Sequence, residues 1–210
     1  MLVAWTLLVA TAVLSVGPCH HLFPEREVLG LKIWFLVHRT LLQAAWVINV
    51  VAMAIMIGDR GFAPISNLSA AVPASDFRWH PFFGLLAFCC MFVQPFVAFV
   101  RPGPDSPRRP LFRAVHFTIA VWAVAFAYAA IFYSTLDPNA ADDPSLRTIA
   151  TVLVAAAGVT IVNIPASFFS RKLDQNKVVR SGQSTCATLT MLTVQLAGLA
   201  LMIKVCMLSS

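Results

Sequence analysis

Long apolar stretches separated by short polar segments run through the whole chain. Six of them approach the ~20 residues that a helix needs to span the hydrocarbon core of a bilayer: 1–17, 31–57, 80–100, 111–134, 147–169 and 186–207. The pattern predicts an all-α integral membrane bundle of five to six transmembrane helices, forming a single domain over 1–210. The first stretch is short and begins at Met1. No basic residue precedes its apolar run and no clear small-x-small cleavage site follows. A membrane helix lacking its first turn therefore fits better than a signal peptide. The connector 101–113 carries Pro102, Pro104, Pro107 and Pro110. Proline favours extended and turn structure and stops helices, so a short, stiff link is expected there. No internal repeat, glycine-rich phosphate loop or separable soluble domain is visible.

Composition supports this reading. The chain is 59% hydrophobic and 11% charged, with a mean hydropathy of +0.80, whereas a soluble domain has about 25% charged residues. The net charge of +6 does not point to nucleic acid. In a membrane protein, cations mainly set orientation and anchor helix ends. Arg101, Arg108, Arg109 and Arg113 stand against one aspartate in 101–113, and Arg171, Lys172, Lys177 and Arg180 against one in 171–180. Both segments read as cytoplasmic. Asp137, Asp142 and Asp143 place the loop between them outside. Alternation puts 59–79 outside too, and that loop contains the glycosylation sequon Asn67-Leu68-Ser69. Both termini are then expected outside or lumenal, in a plasma membrane or endomembrane. The five cysteines, Cys19, Cys89, Cys90, Cys186 and Cys206, form no CxxC motif and read as small hydrophobes.

Ionisable side chains in apolar spans are costly and mark candidate functional sites. His38, His80 and His116 each lie near the end of a predicted span, and imidazole is the usual axial ligand of electron-transferring haem. With the orientation above, His38 and His116 fall at similar depth toward the cytoplasmic face, where one iron could take both. His80 opens its helix at the outer face, beside Trp79. Small residues follow the histidines at helical spacing: Ala120, Ala123 and Ala127 after His116, Gly84 and Ala87 after His80, and Ala45 after His38. Such residues also serve ordinary helix packing. A histidine at a helix end is also often a plain carbonyl-bonding residue. Lys32, Arg39, Arg109 and Arg113 are candidate partners for haem propionates or, equally, positive-inside anchors. Gln43 and Gln94 are candidate supporting groups, with Gln94 about four turns below His80. His20 and His21 read as surface residues.

WFLVHRTLLQ at 34–43, HPFFGLLAFCCMFVQPFVAFVRP at 80–102 and RRPLFRAVHF at 108–117 resemble the cytochrome b561 domain. The variety is the one found in ferric-chelate reductase 1-like and DOMON-linked proteins. The likeness covers roughly 1–170 and is strongest over 31–134. It implies a b561-like bundle with two haem b groups, each held by two histidines. His38 and His116 would hold the cytoplasmic haem and His80 would supply one ligand of the outer one. Electrons would pass from a cytoplasmic donor such as ascorbate to an outer acceptor such as a ferric chelate. In that family the second outer ligand sits in an HGxLM-like motif, and Met1-Leu2-Val3-Ala4-Trp5 resembles the tail of one. The expected histidine would lie just upstream of Met1, so the chain is expected either to be truncated there or to carry one haem, at His38 and His116, without the second at His80. No DOMON or reeler domain is recognisable.

The leading expectation is a haem b electron carrier, a transmembrane oxidoreductase of the ferric reductase type. The alternative is a redox-inactive scaffold or accessory subunit with the same fold, acting in the lipid bilayer alone or as a homodimer. A transporter fits less well because no acidic residue lies within any span. A hydrolase fits less well still, for lack of a Ser-His-Asp or zinc arrangement.

Overall fold

The computed structural model describes residues 4–16, 26–60, 79–103, 105–134 and isolated helical positions beyond 144. Three helices are long and apolar enough to cross a membrane: Ile33–Asp59, Trp79–Phe99 and Arg109–Ser134. They coincide with the expected spans 31–57, 80–100 and 111–134, and make this an integral membrane protein. The fourth described helix, at the N-terminus, is shorter than a span. Apart from those isolated positions, the expected spans 147–169 and 186–207 lie outside the described residues, as does the sequon. Three spans, rather than five or six, are therefore what the described residues contain. The chain divides into two compact units, one of residues 1–48 with 144–210 and one of Asn49–Asp143.

In the first unit, a π-helical stretch, Ala4–Val9, runs directly into helix α1, Ala10–Val16. Ala4, Trp5, Thr6, Val9 and Ala12 are buried. A two-residue hairpin follows, with β1 (Glu27–Val28) antiparallel to β2 (Leu31–Lys32) and Glu27 opposite Lys32. Its central residues Leu29 and Gly30 have φ of 56° and 71°. Both are left-handed, as a type I′ hairpin turn requires. Glycine accepts that conformation freely, but leucine is strained in it. Helix α2, Ile33–Arg60, begins immediately after β2. It starts two residues later than the apolar pattern alone suggests, because Leu31 and Lys32 are taken by the hairpin. Across the division of the units, Ala45, Asn49 and Met53 on α2 are buried at four-residue spacing, which marks one face of a helix.

The second unit contains the hairpin of helix α3, Trp79–Phe99, and helix α4, Arg109–Ser134. Ala87 and Met91 on α3, and Ala123, Ala127, Tyr128 and Ala130 on α4, are buried. Small residues at these positions let two backbones approach closely where lipid, not water, is the solvent. Phe92, Val93, Phe96 and Trp122 are exposed, as lipid-facing side chains should be. Pro95 lies inside α3 and has no N–H for the Met91 carbonyl. In the connector, the Ser106 hydroxyl accepts from the Arg108 N–H at 3.3 Å, an N-cap arrangement. Pro107 precedes α4, and Pro110 falls in its first turn, where the missing N–H costs nothing. Helix α4 thus starts at Arg109, earlier than the expected 111.

Candidate functional site

His38 lies in the second turn of α2, one turn beyond Trp34. Its Nδ1 is 2.9 Å from the Ala12 carbonyl oxygen of α1. A carbonyl only accepts, so Nδ1 carries the proton and donates it, and the ring's lone pair is at Nε2. The same carbonyl accepts the Ser15 hydroxyl at 2.7 Å. That hydroxyl also lies 3.4 Å from the Trp34 carbonyl. Arg39, the next residue, is exposed, and so is Gln43.

His80 sits in the first turn of α3. Its Nδ1–H donates to the Ala130 carbonyl of α4 at 2.8 Å, which gives it the same tautomer as His38. Aromatic rings frame this end of the hairpin. Phe83 stacks on Tyr133 at 5.6 Å and 15° and on Phe126 at 6.1 Å and 24°, and Trp79 lies against Tyr133. Such pairs add about 0.5–1.5 kcal/mol each beyond the area they bury. Gly84 has open space where a Cβ would project, on the face it shares with His80.

His116 is held differently. Its imidazole stacks on Phe112 one turn earlier, at 5.5 Å and 14°, and its Nδ1 is buried. Its backbone carbonyl accepts the Gln94 Nε2–H from α3 at 2.9 Å. That bond fixes the amide, because the opposite orientation would set two oxygens against each other. Gln94 Oε1 is buried and has no hydrogen-bond partner. The expected depth of Gln94 is therefore realised: it reaches the level of His116. Ala130, the partner of His80, lies 14 residues beyond His116 on α4, a rise of about 21 Å. His80 and His116 accordingly occupy opposite ends of the hairpin and cannot share one ligand atom.

Of the small residues expected beside the histidines, Ala45, Ala87, Ala123 and Ala127 are buried, and Ala120 is half-buried. Arg113 is exposed. Among the described residues, no three metal-ligating side chains converge. Axial ligation of a haem iron needs only one or two. The receiving carbonyls of Ala12 and Ala130 escaped sequence reasoning. An alanine carries no side-chain signal for what its backbone accepts.

Ferric-chelate reductase 1 of Homo sapiens is 27% identical over 83% of the chain, and that of Mus musculus 28% identical over 63%. A Xenopus laevis counterpart is 28% identical over 69%. The chain spans only 28%, 21% and 22% of the length of these relatives, respectively. No family model matches the chain, and no solved structure does.

Proposed function

We propose that this chain is the haem-carrying membrane part of an electron-transfer protein related to ferric-chelate reductase 1. In this reading it passes electrons from a cytoplasmic donor such as ascorbate to an outer acceptor such as a ferric chelate. The carrying observation is that His38 and His80 each commit Nδ1–H to a backbone carbonyl of another helix. Metal-bound histidines almost always donate their second ring N–H in this way, which fixes the tautomer and raises ligand basicity. The residues present therefore fit a haem. His38 and His116 would hold a haem on the cytoplasmic side, and His80 would hold one toward the outer face. Arg39 and Arg113, exposed and close in sequence to His38 and His116, would face the propionates.

When bound, haem supplies a reversible one-electron change at iron. The chain's own residues set the conditions for it. The Ala12 and Ala130 carbonyls accept Nδ1–H from two imidazoles and leave Nε2 as the nitrogen that would hold iron. Gln94 holds the backbone of His116, and Phe112 fixes its ring plane. The buried alanines let the helices pack closely, and the apolar spans exclude water.

Proteoliposomes loaded with ascorbate test this function. The expected result is reduction of external ferricyanide by the purified chain, abolished in His38→Ala. Well-folded protein that transfers no electrons from trapped ascorbate or from trapped dithionite would overturn the electron-transfer reading and favour a scaffold.

A further inference from the structure

The α3–α4 connector joins two spans and so lies at a membrane face. It gathers Arg101, Arg108 and Arg109, to which the proposed function gives no role, beside Arg113. Arg109 donates through Nη1 to the Pro102 carbonyl, and its guanidinium lies 5.9 Å from the Phe112 ring centroid. These two contacts hold the group in place. Its Nε is buried without a hydrogen-bond partner, so a charge-assisted donor stands unspent. Arg101 is close enough to Arg109 and Arg113 to feel them: burial first, and then their like charges, pushes its guanidinium below its ordinary pKa. The one acid of the segment is Asp105, against four arginines. Directly alongside are exposed apolar side chains: Phe99 is 91% exposed, Val100 71% and Leu111 66%.

We propose that this connector is a binding site for the phosphate headgroup of an anionic phospholipid. Arg101 and Arg109 hold the phosphate, and an acyl chain lies along Phe99, Val100 and Leu111. Guanidinium is the group best suited to phosphate oxygens, through its planar fork of donors. An incoming phosphate relieves the repulsion among the cations. A soluble polyanion would supply the charge but leave Phe99 uncovered. A phospholipid supplies both halves, with its phosphate at the height where the two spans end. The inference rests on the membrane-spanning hairpin and is independent of whether the chain carries haem.

Native mass spectrometry of the full chain, released from detergent with equal amounts of phosphatidylglycerol and phosphatidylcholine, tests it. The expected result is preferential retention of phosphatidylglycerol. A surface cation is worth about 1 kcal/mol toward anionic lipid. Arg101→Gln, at an exposed position, should therefore lower the preference about fivefold. Arg109→Lys keeps the charge but loses the fork, and should lower it as well. Arg26→Gln removes the same charge from the β-hairpin region and should leave it unchanged. Equal retention of the two lipids overturns the site, as does an equal loss in Arg26→Gln. Full displacement of the lipid by millimolar inorganic phosphate would mean a soluble-anion site instead, and overturns the lipid assignment.

Discussion

His38 in the N-terminal region and His80 in the α3–α4 hairpin are fixed by the same bond, yet their surroundings differ. Around His38 the receiving helix is short, opens with a π-helical stretch and buries small residues. Its Ala12 carbonyl serves a hydroxyl and an imidazole together. Around His80 the receiving carbonyl lies in the last full turn of a regular 26-residue helix, framed by stacked aromatic rings. In both places the acceptor is backbone, and a carbonyl has a second lone pair beyond the one its helix uses. The orientation of a ligand-competent imidazole is thus set by helix position rather than by a partner side chain. At His116 the backbone carbonyl also takes part, accepting from Gln94 on the preceding helix.

The largest test of this comparison enlarges the small residues that let the helices approach. Ala127→Leu in the hairpin and Ala12→Leu beside His38 each overfill a buried position and should destabilise by about 1–3 kcal/mol, read by thermal unfolding in detergent. Ala127→Leu without effect would mean that the hairpin does not pack as described. Next come the ties themselves. In haem-free protein, His38→Leu and His80→Leu each lose one hydrogen bond and should cost about 1 kcal/mol. A cost confined to one of them would break the equivalence of the two regions.

Gln94→Leu should have a smaller effect, under about 1 kcal/mol, because it loses the bond to His116 but also removes a buried acceptor without a partner. If haem binds, the same variant should shift its midpoint potential in redox titration, and an unshifted potential would reduce Gln94 to a packing role. The smallest change is expected at the β-hairpin. Leu29→Asn places a residue suited to the left-handed region ahead of Gly30 and should raise stability by roughly 0.5 kcal/mol. A loss of stability there would contradict the turn assigned.

The spans were legible because length and hydropathy suffice to mark them. So was the register of Gln94 with His116, since helical rise converts residue number directly into depth. The hairpin at Glu27–Lys32 was not legible, because its turn is Leu-Gly and lacks the Asn-Gly or Asp-Gly pair that usually announces such a connection. The early start of α4 was hidden by its prolines, which end helices when placed inside them but begin them after a serine cap. The carbonyl partners of His38 and His80 were illegible in principle, because every residue offers the same backbone acceptor. Only packing selects Ala12 and Ala130.

The most direct test of the central claim is a dithionite-reduced minus oxidised spectrum of the purified chain, with haem counted per chain in the parent and in three variants. The account predicts the sharp α-band of a bis-histidine b-type cytochrome, lost in His38→Ala and in His116→Ala. A band surviving both substitutions, or no band at all in well-folded parent protein, would contradict it.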